Sequence, residues 1–180
     1  DYGDFVNNDN AVFNFYGTSY TIPASLTTYP TLKISGGNTK YLNTASIVVR
    51  NNLIIADPVN ANNALSLNAT SGDITIYGDI RFSNGGKLIL PVSVTARNIN
   101  VYGNIDFQFG NNNNNNAIEV TNGAGTIHKF NFYGDTIFSG ASSILFDRVQ
   151  NNKADLYFRN SGRTVITEGT GTFSLNRLFL

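Results

Sequence analysis

Three residues recur at one motif position in this chain. Asp79, Asn104 and Asp135 each follow a Tyr-Gly pair, in "IYGD", "VYGN" and "FYGD". Carboxylates repeated at one position could do acid–base work or hold a hard cation. The middle member is an amide, however, and Asp or Asn after Gly is ordinary turn chemistry. The turn is therefore the stronger reading. The one histidine, His128, stands in "GTIHKF", with Glu119 and Asp135 outside ligand spacing, and reads as a surface residue. The chain has no cysteine, which excludes a thiolate metal site and a disulfide framework. "SGGN" (35–38) and "SNGGK" (83–87) read as turns, since a phosphate loop would need a Lys-Ser/Thr pair and a following helix. No catalytic, metal or cofactor site is expected, and the chain does not read as an enzyme.

The tyrosines of the same motif are the better candidates. Tyr16, Tyr77, Tyr102 and Tyr133 share the outward parity of Asn14, Thr75, Asn100 and Asn131. This predicts a ridge of aromatic rings flanked by amides and hydroxyls. Stacked like residues stabilise one another by roughly 0.2–1 kcal/mol per pair, so a purely structural ladder is one reading. The other is a contact surface for polysaccharide or another partner, since tyrosine offers an apolar body and a polar tip.

Repeats must position these residues. "ITIYGDIRF" (74–82), "INVYGNIDF" (99–107) and "FNFYGDTIF" (130–138) are one motif, and "FNFYGTSYTI" (13–22) reads as a fourth copy. Aligning the residue before Tyr gives Phe15, Val49, Ile76, Val101, Phe132 and Phe158, at gaps of 34, 27, 25, 31 and 26 residues. A second motif lies between them, as in "ALSL" (64–67), "KLIL" (87–90) and "AIEV" (117–120). Ile74, Ile76, Ile80 and Phe82 share one parity, and Thr75, Tyr77 and Arg81 the other. That alternation means short strands with one buried face. The same parity places Leu65, Leu67, Ile99, Val101, Ile105, Phe107, Ile118, Val120, Phe130 and Phe132 inward. No window has a helical period.

A repeat of strands and turns alone, too short for a propeller blade, predicts an all-β fold. The expected architecture is a right-handed parallel β-helix, a solenoid of six to seven coils of about 25–31 residues. Residues 1–180 form a single repeat segment, read as a piece of a longer chain. The hexa-asparagine tract Asn111–Asn116 falls between two strand motifs and reads as an elongated outward turn.

Composition agrees. Hydrophobic residues are 41% and charged residues 13%, with 28 asparagines supplying polarity. The formal net charge of zero gives no reason to expect nucleic acid as a partner. No apolar run approaches the ~20 residues of a membrane-spanning helix, so no membrane insertion is expected. "NAT" at Asn68 is a formal N-glycosylation sequon.

The stretch "YPTLKISGGNTKYLNTASIVVRNNLII" (29–55) resembles a pattern of very large secreted and surface proteins of Bacteroidota. Tyr29, Leu32, Ile34, Gly36, Gly37, Thr39, Lys40, Val49, Leu53 and Ile55 carry the resemblance. It implies a cell-surface adhesin exported by the type IX secretion system, with gliding motility among the roles of relatives. It also implies an O-glycosylation sequon at "DTI" (135–137), with Thr136 as acceptor, although Thr136 aligns with the inward Ile80 and Ile105. The expected function is a structural and adhesive shaft at the bacterial cell surface. Its expected partners are flanking repeats of the same chain, a polysaccharide or surface ligand, and secretion machinery. A polysaccharide-binding or -degrading β-helix and a subunit of a self-assembling extracellular fibre are the alternatives.

Overall fold

A computed structural model of the chain describes residues 9–43, 46–57, 59–60, 62–67, 72–90, 96–107, 116–120, 127–140, 143–145, 154–162, 164–169, 173–174 and 177–180. Regular structure among them is strand throughout. Sheet I holds β1 (Val12–Tyr16), β4 (Thr31–Ser35), β7 (Leu53–Ile55), β10 (Ile80–Phe82), β13 (Ile105–Asp106), β16 (Thr136–Gly140) and β19 (Val165–Gly169). Sheet II holds β2 (Tyr20–Ile22), β5 (Thr39–Leu42), β8 (Ala64–Leu67), β11 (Lys87–Leu90), β14 (Ala117–Val120), β17 (Ser143–Leu145) and β20 (Phe173–Ser174). Sheet III holds β3 (Thr28–Tyr29), β6 (Ile47–Val49), β9 (Ile74–Ile76), β12 (Asn98–Val101), β15 (His128–Phe132), β18 (Ala154–Phe158) and β21 (Arg177–Phe179).

Neighbours within each sheet are parallel and lie three strands apart in chain order. The chain therefore visits sheets I, II and III in turn and returns to sheet I one layer on. The described residues thus form a parallel β-helix of seven coils. Each coil exposes the apolar face of its strands to the interior and covers it with the coils on either side.

Register gives the coil lengths. Phe15 pairs with Ile34 and Ile34 with Ile55, so the first two coils take 19 and 21 residues. The following steps, Ile55 to Phe82, Ile80 to Ile105, Ile105 to Thr136 and Thr136 to Val165, span 25 to 31 residues. The expected range thus holds for the later coils and is corrected for the first two. Their turns are tight. Only Gly36, Gly37 and Asn38 join β4 to β5, all three with positive φ (79°, 74° and 62°). Such backbone suits glycine and asparagine and reverses direction in few residues.

The inward set read from parity is buried throughout, from Leu65 and Leu67 to Phe130 and Phe132. Each such side chain contributes about 1.5–3 kcal/mol by leaving water. Inside the solenoid Phe82 stacks on Phe107, with centroids 4.8 Å apart and planes 10° apart. Thr136 is a polar residue in an apolar column: it follows Ile105, and its hydroxyl meets no hydrogen-bond partner among the described residues. The hydroxyl is fully enclosed, so the folded chain does not present Thr136 at the surface, as the O-glycosylation expectation would require. The sequon at Asn68 lies outside the described residues.

Candidate functional site

The outer face of sheet III carries the predicted ridge. Val49 pairs with Ile76, Ile76 with Val101, and Val101 with Phe132. The next residues, Arg50, Tyr77, Tyr102 and Tyr133, therefore form one outward column. Phe132 pairs with Phe158, which adds Arg159 at its far end. Tyr77 and Tyr102 stack at 5.3 Å between centroids, Tyr102 and Tyr133 at 4.5 Å, with 13° between planes in both cases. Tyr77 is 57% and Tyr102 45% exposed. The flanking column runs Thr75, Asn100, Asn131 and Tyr157. Within it Asn131 Nδ2 donates to Asn100 Oδ1 at 2.9 Å, and Arg159 Nε donates to Asn131 Oδ1 at 2.8 Å. Arg159 also lies over the Tyr157 ring, 4.1 Å from its centroid, and Tyr157 stacks on Phe179.

This geometry settles what the ladder can offer. The two neighbours of Tyr102 cover both faces of its ring. What remains open is a row of ring edges and phenol tips, one per coil. The ladder can hydrogen-bond to a partner along its length, but it cannot stack a partner on the face of Tyr102.

Tyr16 does not belong to it. Its strand, β1, pairs with β4 in sheet I, and Tyr16 lies beside Ser35. The residue that pairs with Val49 is Tyr29, whose hydroxyl donates to the Leu26 carbonyl within the core at 2.8 Å. The 34-residue gap between Phe15 and Val49 thus conceals an additional coil. Tyr16 remains exposed, on another face.

The Asp79–Asn104–Asp135 column is real, and its chemistry is structural. Asp79 N–H donates to Asn52 Oδ1, Asn104 N–H to Asp79 Oδ1, Asp135 N–H to Asn104 Oδ1, and Thr164 N–H to Asp135 Oδ1, each at 2.9 Å. Each side-chain oxygen therefore caps the backbone of the next coil. Only an oxygen is needed, which is why Asp and Asn alternate freely. Asp79 Oδ2 is further engaged by Arg81 at 2.8 Å. The described residues hold no group of three or more His, Cys, Asp or Glu side chains able to share a metal ion.

Several buried polar groups carry no apolar signal in the alternation of the sequence. Lys40, part of the "NTK" motif, is fully enclosed, and its ammonium donates to the carbonyls of Gly17 (2.6 Å) and Gly37 (2.5 Å). Burial lowers its pKa, and the Asp57 charge opposes that shift. Burial would raise the pKa of Asp57 itself. Backbone N–H groups of Asn60, Val59 and Gly36, joined by the Asn60 side chain, overcome this and hold it at about 2. Asn116, the last of the six-asparagine tract, is buried: Gly86 N–H donates to its Oδ1 at 2.9 Å, and its Nδ2 donates to the Phe107 carbonyl at 2.7 Å. Asn63 does the same two coils earlier, accepting from Gly37 N–H at 2.7 Å. Residues 111–115 of the tract, and with them the outward-turn reading, lie outside the described residues.

His128 is also buried, contrary to the surface reading. It opens β15 at the corner where sheet II gives way to sheet III. Its Nδ1 accepts from Arg97 N–H at 3.3 Å, which leaves the proton of the neutral ring on Nε2. Burial, then the Arg97 charge, pushes its pKa down to about 4. One signal pointed inward: His128 is two residues before Phe130 and shares its parity.

No family model matches the chain, and no curated protein or solved structure matches it.

Proposed function

We propose that this chain is a structural, adhesive shaft segment of a large bacterial surface protein, working outside the cell. The observation that carries the reading is the Tyr77–Tyr102–Tyr133 ladder, on the outer face of a solenoid whose Asp79 and Asp135 carboxylates cap the next coil. A solenoid gains length at constant cross-section, which suits a shaft. A repeated outward residue turns one weak contact into many along the same axis. The resemblance of residues 29–55 to Bacteroidota surface proteins supports the same setting. Within that resemblance the structural residues have physical roles: Tyr29 in the core, Gly36 and Gly37 in the turn, Lys40 capping it. Type IX export, gliding motility and contact with flanking repeats are further parts of the proposal that rest on the resemblance.

The test replaces Tyr77, Tyr102 and Tyr133 together with Ser. Circular dichroism should still report a β-rich fold with a lower melting temperature. Retention on a panel of polysaccharide- and protein-coated surfaces should fall at least several-fold. Unchanged retention would overturn the adhesive role of the ladder. Release of reducing or unsaturated ends from the polysaccharides by the parent chain, abolished by Asp79→Asn with Asp135→Asn, would overturn the non-catalytic reading.

A further inference from the structure

The adhesive reading leaves the partner open, and the ladder's geometry narrows it. Its ring edges repeat every coil, at centroid spacings of 5.3 and 4.5 Å. Strand stacking fixes that step along the solenoid axis. Pyranose rings in an extended, (1→4)-β-linked chain advance by nearly the same step per residue. A helical, α-linked glucan does not, and falls out of phase within a few sugars.

Charge selects further. The central residues Thr75, Tyr77, Asn100, Tyr102, Asn131 and Tyr133 are all uncharged. The cations Arg50 and Arg159 stand at the two ends of the column, beyond the tyrosines; of the flanking carboxylates, Asp79 is ion-paired with Arg81 and Asp135 caps the next coil. A polyanion charged at every sugar would find no cation at the tyrosines themselves, whereas a neutral polyol needs only the phenol tips there. Ring stacking leaves phenol tips as the open polar groups, so recognition proceeds by hydrogen bonds spread along the axis.

On the strength of the adhesive reading, we infer that the Tyr77–Tyr102–Tyr133 ladder is a track for a neutral, extended β-linked polysaccharide, lying parallel to the solenoid axis with one sugar per coil. A single contact is weak. Affinity therefore rises with chain length until the three tyrosines are occupied.

The test measures pull-down of the whole chain on microcrystalline cellulose, chitin, insoluble starch and calcium alginate gel, with cello-oligosaccharides of increasing length as competitors. Retention is expected on the two β-linked neutral polymers, at least several-fold above starch and alginate. Competition should strengthen steeply from the disaccharide to the tetrasaccharide. Tyr102→Phe keeps the ring stack and removes one hydroxyl, so it should weaken binding roughly threefold to tenfold with the fold intact. The triple Tyr→Phe variant should weaken it further. Equal retention on starch and cellulose, or no effect of the Phe variants, overturns the track. If the glycan beads retain nothing while protein-coated surfaces still hold the chain in a Tyr-dependent way, the track fails and the adhesive reading stands. If no surface holds it, both fail.

Discussion

His128 gives the molecule a pH dependence of definite sign. Its pKa falls from the ordinary 6.5 to about 4 in the folded chain, because burial and the Arg97 charge disfavour the imidazolium. At pH 8 neither state binds this proton. Below pH 6.5 the unfolded chain takes it up and the folded chain does not, so stability declines until about pH 4. The full effect is about 3 kcal/mol. Asp57 acts in a separate window. Its folded pKa of about 2 lies below the ordinary 3.8, so the stability it lends is complete above that value and is lost towards pH 2. Urea midpoints measured from pH 8 to pH 4 should fall in the parent chain and stay nearly level in His128→Phe. A flat parent profile would contradict the buried, neutral assignment. The residues that sequence alternation read correctly are apolar, so parity and residue type agree on the face. Lys40 and His128 share the inward parity of Leu42 and Phe130 but are polar, and Asn116 stands just before β14; all three bond to turn backbone where the chain changes sheets.

At the scale of the element, the Tyr-Gly turn is defined by its glycine. A Cβ on Gly134 would lie 2.1 Å from the Gly103 carbonyl oxygen and 2.4 Å from its carbon. Neither is a flexible side-chain end, so the coils themselves would have to separate. Gly134→Ala should therefore cost more than about 2 kcal/mol, read as a drop in melting temperature; a loss below about 0.5 kcal/mol would show that the coils are not in such close contact. The same motif explains the misplacement of Tyr16. "FNFYG" at 13–17 is written like the sheet III strand and its turn, yet it forms a sheet I strand that turns towards sheet II. Local sequence specifies strand and turn, and both corners of the coil use the same chemistry. Which corner it is depends on the number of residues in the coil, and the tight 19- and 21-residue coils break the later rhythm.

For the whole molecule, the solenoid predicts that a coil is removable. Ile80 and Ile105 occupy the same register position, so deleting residues 80–104 joins Asp79 directly to Ile105. Tyr77 then meets Tyr133, and the deleted link of the Asn/Asp column is restored by its neighbours. The shortened chain should fold cooperatively, with a denaturant slope lower by about one-seventh, since one coil's surface is gone. A molten or insoluble product, judged by near-ultraviolet circular dichroism and sedimentation, would mean that stability is not built coil by coil. The repeat and its all-β solenoid fold were legible in the sequence, because stacked equivalents must look alike. The ladder's ring-to-ring geometry was not, because it depends on how closely the coils approach.

The hydrogen bonds between coils run along the long axis, and the backbone circles that axis. Tension applied between the two ends therefore meets one coil's bonds at a time, in the manner of thread drawn from a spool. A coil of 25 residues such as Ile80–Asn104 adds about 5 Å to the folded length. Pulled straight, the same residues reach about 85 Å. A tether built this way lengthens many-fold before its covalent chain is taut, and each released coil dissipates work that would otherwise reach the point of attachment.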